Sequence, residues 1–187
     1  MNDETTTTWT IDPTHAEVAF AVRHLMLSTV RGRFGAVAGT IQLDERNPAK
    51  STVDVTVDVS SIDTRQEMRD NHLRSPDFFD VANHPTLRFV SKHVEGDING
   101  EFRVVGDLTI RGTSKEVKLE VSLQGRGRDP WGNERAGFEA KGKINRSEFG
   151  LTWNQALEAG GVAVGDEVKI SIDVELVKQV AAETAAA

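Results

Sequence analysis

Hydrophobic residues recur at every second position through most of the chain. Val53, Val55, Val57 and Val59 alternate with Asp54, Thr56, Asp58 and Ser60. Val117, Leu119, Val121 and Leu123 alternate with Lys118, Glu120, Ser122 and Gln124. Val168, Ile170, Ile172, Val174 and Leu176 alternate with Lys169, Ser171, Asp173 and Glu175. A period of two sends one set of side chains to one face of an extended strand and the other set to the opposite face. Looser versions run over 36–43, 87–94, 101–110 and 136–145, and the stretch 15–26 carries Val18, Phe20, Val22 and His24 on one face. The pattern predicts about eight strands, rich in Val, Ile and Phe. Asn47-Pro48, Gly96-Asp97, Asn99-Gly100 and Arg111-Gly112-Thr113 mark turns between them, and 125–134 reads as a longer exposed loop. Residues 1–8 and 180–187 are expected to be disordered, leaving a single domain over 9–179.

One stretch departs from the alternation. Thr64 and Glu67 have the spacing of a capping box, 65–73 reads as a short helix, and Ser75-Pro76 stops it. Phe78 and Phe79 follow, and adjacent aromatics suggest one inside a core opening and one outside it. A single short helix is too little to cover the apolar face of eight strands. The sheet must therefore close into a barrel or fold into a sandwich. Closure also removes exposed edges, and an eight-stranded barrel is either filled by side chains or holds one small ligand. Gly39, Gly106, Ala136, Ala140 and Gly142 fall on the apparent inner faces; they either leave room or mark bends. Strands of this length, ~35 Å long and tilted ~40°, give a barrel ~27 Å tall, which suits a long guest better than a compact one.

Composition narrows the function. The chain has 187 residues, 38% hydrophobic and 27% charged, an ordinary soluble balance with no run approaching a membrane-spanning helix. A net charge of −7 with scattered basic residues argues against nucleic acid, the nearest approach to a basic cluster being Arg23, Arg31 and Arg33. The opening Met1-Asn2-Asp3-Glu4 lacks the basic start and apolar stretch of an export signal, and cysteine is absent, so a cytoplasmic location is expected.

The chemistry-bearing residues do not assemble into a catalytic pattern. The histidines, His15, His24, His72, His84 and His93, have no spacing that places two on one metal, so no metal or cofactor is expected. There is no Gly-x-Ser-x-Gly elbow, and Asp54/Asp58 and Asp173/Glu175 lie on polar strand faces. His24 shares a face with Val18, Phe20 and Val22, where it is either a hydrogen-bonded core residue or a contact to the polar head of an apolar guest. His72 lies four residues after Met68 on one side of the helix. Trp153 follows Phe149-Gly150-Leu151 in an apolar loop, which reads as a lid, as packing, or as the contact of a homodimer.

Several stretches together resemble the YceI-like, polyisoprenoid-binding family. They are Trp9-Thr-Ile-Asp-Pro-Thr-His15-Ala-Glu-Val-Ala-Phe20-Ala-Val-Arg-His24, Arg31-Gly-Arg-Phe34-Gly, Ser61-Ile-Asp-Thr64, Arg69-Asp-Asn-His72-Leu-Arg-Ser-Pro76-Asp-Phe78-Phe79-Asp, Gly106-Asp-Leu-Thr-Ile-Arg-Gly112 and Ile144-Asn-Arg146-Ser-Glu-Phe149-Gly. The resemblance covers roughly 9–177. It implies an extended, lipocalin-like, eight-stranded antiparallel barrel with a helix near one end. Its lumen would take an isoprenoid chain such as a polyprenol or a quinone tail. Carried over by motif, the lumen residues are Phe20, Val22, His24, Phe34, Met68, His72, Phe78 and Phe149. The expected role is a carrier or store that neither catalyses a reaction nor inserts stably into a membrane. A ligand-free, stress-related interaction module and a cavity enzyme using a histidine as acid–base group are the alternatives.

Overall fold

A computed structural model of the chain describes residues 6–180. Among them, ten strands form one antiparallel sheet: β1 (Thr6–His24), β2 (Ser28–Phe34), β3 (Val37–Asp44), β4 (Thr52–Asp58), β5 (Ile62–Asp63), β6 (Thr86–Gly96), β7 (Glu101–Ile110), β8 (Thr113–Arg128), β9 (Glu134–Asn145) and β10 (Val164–Lys178). One helix, α1 (Glu67–Arg74), lies between β5 and β6. The sheet runs β1-β3-β4-β6-β7-β8-β9-β10 and returns to β1, so it closes. β2 and β3 together make one wall strand. β2 pairs with β1 from His24↔Ser28 to Val18↔Phe34, and β3 pairs with it from Thr10↔Thr40 to Thr6↔Asp44. The wall is therefore an eight-stranded antiparallel barrel with one short helix, and the inner faces supply the core: Trp9, Phe34, Ile41, Val57, Phe89, Val104, Val117 and Leu176 are all buried.

The alternation identified the walls and misplaced several limits. β1 begins at Thr6, because Trp9 and Ile11 continue the inward face across a bulge. Ile11 pairs with Leu176 and Ala16 with Val174, so Asp12 to His15 leave the ladder. Pro13 has no N–H to give it, and Asp12 Oδ1 accepts from the Thr14 amide at 2.9 Å and the Thr14 hydroxyl at 2.6 Å, which shapes the bulge. The expected disorder of 1–8 is thus corrected for Thr6, Thr7 and Thr8, which pair with β3; residues 1–5 and 181–187 lie outside the described residues. The loop expected over 125–134 shrinks to 129–133, since β8 and β9 stay paired out to Arg128↔Glu134. β2, which alternates poorly, is a strand because β1 along its length and β5 at Arg33 and Phe34 present it with backbone partners.

The capping box is also corrected. Gln66 caps α1, its side chain accepting from the Arg69 amide at 2.6 Å. Thr64 instead gives its amide to buried Asp70 at 2.9 Å, donates its hydroxyl to the same carboxylate, and accepts from Arg69 Nε at 2.7 Å. Tertiary contact took the threonine that local spacing assigned to the helix.

The two ends of the barrel differ in how the chain crosses them. The hairpin end carries the 25–27 turn, the Arg111-Gly112 turn, and the long connections 64–85 and 146–163. The far end carries the shorter turns 45–51, 97–100 and 129–133.

Candidate binding cavity

The inward residues do not fill the barrel. They enclose an apolar cavity of about 300 Å³. Its wall includes Trp9, Leu43 and Ile98 toward the far end, and Phe20, Val22, Leu73, Phe79 and Val164 toward the hairpin end. Val164 and Leu176, at opposite ends of β10, both line it. That separation is about 40 Å along a strand, or about 30 Å along the axis of a barrel whose strands tilt by ~40°. The space is long and narrow.

Among the described residues no polar atom faces it. Among the lining residues Ser51 turns its hydroxyl to the Asp44 amide, Arg88 its guanidinium to Asp54 outside the wall, and Arg146 its guanidinium to backbone carbonyls. Small residues shape the interior in two ways. Ala136 and Ala140 are buried and line the cavity directly. Gly32 and Gly106 do not leave voids: a methyl at Gly32 would overlap the ring of Phe20, and one at Gly106 the Val90 carbonyl and the ring of Phe89. The glycines thus let aromatic rings pack against the wall instead of crossing the lumen.

Four of the eight residues expected in the lumen line it: Phe20, Val22, Phe34 and Phe78. Phe20 packs on Phe34 at 5.7 Å between ring centroids, and Phe79 meets Phe34 edge-on at 5.9 Å. Phe78 and Phe79 both face inward, which corrects the expectation that one would pack outside. The other four do not line the cavity. His24 is the last residue of β1, still in register with Ser28 of β2, and stands at the rim of the barrel beside a bulge of β10, where Val22 pairs with Val168 and His24 with Val164. Met68 is 79% exposed, because α1 turns Asp70 and Leu73 toward the barrel and Met68 away from it. His72 sits beside Asp77 at 2.8 Å and meets the rings of Phe78 and Trp153 edge-on. Phe149 is buried among core side chains at the barrel end, short of the cavity. Trp153 packs partly inward against His72 and Phe78, so its ring belongs to the closure of the hairpin end.

Sequence reasoning missed three arginines that hold that closure. Arg146 is buried and donates to the carbonyls of Leu151 at 2.6 Å, Gly165 at 2.8 Å and Trp153 at 3.0 Å. Burial pulls its pKa down from the usual arginine value. Arg111 reaches the Phe78 carbonyl at 3.0 Å, and Arg74 reaches those of Ile62 at 2.9 Å and Ser60 at 3.1 Å. Each stands in a stretch that resembles the YceI-like family, next to a Gly or Ser. That context is the only sequence signal of the role.

A second grouping lies at the β1 bulge. Asp12, His15 and Glu175 bring one metal-type ligand atom each within 4.8 Å of one another. Arg135 Nη1 lies 2.7 Å from Asp12 and 3.0 Å from Glu175, so a guanidinium takes the place a cation would fill. Thr14 and then Arg135 hold the Asp12 carboxyl far below the usual range. Residues so distant in sequence could not be grouped by spacing.

Comparison with known proteins places this barrel. The YceI-like domain model matches residues 9–176. Protein YceI of Salmonella newport is 42% identical over 167 residues, covering 88% of this chain and 83% of its own length. The chain belongs to the YceI-like family. The Campylobacter jejuni YceI protein has the same fold at a TM-score of 0.71 and 32% identity, covering 84% of this chain and 90% of the other. A Saccharophagus degradans domain described as polyisoprenoid-binding, 13% identical, matches at a TM-score of 0.68 over 92% of this chain and 99% of its own. The YceI-like barrel is thus shared across sequences with little identity.

Proposed function

We propose that this YceI-like barrel binds an elongated isoprenoid lipid, a polyprenol or polyprenyl quinone, and serves as its carrier or store. The observation that carries this reading is the lumen itself: long, narrow, and without one polar atom facing it. Such a wall attracts hydrocarbon through removal of apolar surface from water, ~0.8 kcal/mol for each buried CH₂. A long tail then binds tightly with few directional contacts. The description of the Saccharophagus degradans domain supports this guest class at the level of the fold. Among the described residues no histidine or carboxylate lines the lumen to transfer a proton to a guest, which favours binding over catalysis.

Detergent-free purification followed by native and denaturing mass spectrometry tests the reading. An added mass that denaturation releases, and that extraction identifies as a prenyl lipid, is expected. Ala140→Phe places a ring in the lumen and is expected to leave a folded barrel that copurifies with no lipid. A protein that stays empty after incubation with polyprenyl quinones and polyprenols overturns the proposal.

A further inference from the structure

The outer surface at the hairpin end sets exposed apolar side chains beside cations that have no carboxylate partner among the described residues. The turn from His24 to Leu27 closes with a bond from the Leu27 amide to the His24 carbonyl at 3.0 Å. Leu25 and Met26 occupy its centre with φ of 53° and 58°. Asn or Gly would adopt that backbone with less strain. The chain instead places large apolar residues there, and Met26 is 63% and Leu27 81% exposed.

A basic collar lies directly behind this tip. Ala21 pairs with Arg31 on one side and Lys169 on the other, so these two cations stand in one row on the outer face. Arg23 stands one rung nearer the tip and lays its guanidinium on the Met26 carbonyl at 2.8 Å. None of Arg23, Arg31 and Lys169 has a carboxylate within ion-pair distance among the described residues. Elsewhere on the wall, cations such as Arg88, Lys92 and Arg103 sit on cross-strand carboxylates. The nearby acids are already engaged: Glu167 with Lys143, and Asp166 with Ser147. In the adjoining 157–162 turn Glu158 is the one carboxylate. Three cations without a carboxylate partner thus stand together behind the apolar tip, at an end where Val22 and Val164 line the cavity.

We propose that this face docks on a bilayer containing anionic phospholipid, with Met26 and Leu27 dipping into the interface and Arg23, Arg31 and Lys169 meeting the headgroups. An apolar tip backed by cations matches the two layers of such a surface. Docking does not depend on what fills the lumen. Its use, exchange of a guest between bilayer and lumen, rests on the lipid-binding reading above.

Flotation of the purified full chain with vesicles tests it. Binding is expected to vesicles of equal parts phosphatidylcholine and phosphatidylglycerol, to weaken as salt is raised, and to be far weaker on phosphatidylcholine alone. Each of Arg31→Gln and Lys169→Gln is expected to weaken it roughly fivefold. The double variant Met26→Ser, Leu27→Ser is expected to abolish it, with unchanged circular dichroism. Ala140→Phe is expected to float like the parent, so failure of the lumen reading would leave this result intact. Flotation equal for parent and variants overturns the proposal, as does no flotation on either vesicle. A parent dimer that the Ser variant converts to monomer, without vesicle binding, overturns it in favour of a second copy of the chain.

Discussion

At the far end of the barrel each turn opens with an aspartate that accepts from the backbone just ahead. Asp44 takes the amides of Arg46 and Asn47, Asp97 that of Asn99, and Asp129 those of Trp131 and Asn133. At the hairpin end the polarity is reversed. Arg74, Arg111 and Arg146 reach across to carbonyls of the long connections. The two devices differ in range. An aspartate satisfies amides two to four residues away and needs nothing from the rest of the fold. An arginine has donors enough to gather carbonyls from separate segments, so its connections are only as firm as that one side chain. The far end is plugged locally by Trp9, Leu43 and Ile98. The hairpin end is clasped, and clasped segments open by local unfolding at less free energy than the walls.

Removing the most buried clasp should have the largest effect. Arg146→Met is expected to lower stability by about 3–5 kcal/mol, because it removes the buried donor that gathers the Leu151, Trp153 and Gly165 carbonyls. Chemical denaturation measures the loss, and hydrogen exchange should show 150–163 opening well before 97–100 and 129–133. A loss below about 1 kcal/mol, or exchange raised equally at both ends, would break the comparison by showing that water substitutes for the guanidinium.

Arg111 offers a finer test. It lies in a two-residue turn and joins two connections, donating to Phe78 and, at 3.5 Å, to Gly150. Arg111→Lys keeps the charge and loses the fork, so about 1–2 kcal/mol is the expected loss. Release of a bound guest should also quicken, read as faster transfer of a fluorescent prenyl lipid to acceptor vesicles. Unchanged stability and transfer would place the hold on the connections elsewhere, with Trp153 and Phe78 the next residues to remove.

The sequence made the walls legible and the ends much less so. Alternation depends only on which face of a strand is buried, so β4, β8 and β10 could be read without knowing their neighbours. The cavity followed at half strength. Phe20, Val22, Phe34 and Phe78 line it, but alternation tells which face a residue takes and not where along the barrel the cavity stops, and His24, on the last rung of β1, is not among the lining residues. Helical spacing put Met68 and His72 together without saying which side of α1 meets the barrel. The clasping arginines were least visible. Their partners are backbone carbonyls, and a carbonyl has no letter in the sequence.

The far end supplies the smallest effect and the one with a pH signature. Arg135 first, then the Asn133 side chain, hold the Asp129 carboxyl well below the usual carboxylate range. A carboxyl whose pKa is depressed on folding stabilises the fold at pH above its unfolded value, ~3.9. That contribution fades as pH falls below this value and is gone once pH has passed the folded value. Asp129→Asn removes the charge while keeping the shape. It is expected to lower Tm by about 2–4 °C at pH 7, and the gap from the parent should hold to about pH 5, narrow below about pH 4, and vanish in strong acid. Arg135 keeps Asp12 and Glu175 as partners in the variant, so the change should stay at the 129–133 turn and leave amide exchange in 146–163 unaltered. A gap that is constant with pH would mean that the turn is held by its hydrogen bonds alone and that the ion pair contributes nothing. A gap that spreads to the hairpin end would show that the two closures are one cooperative unit.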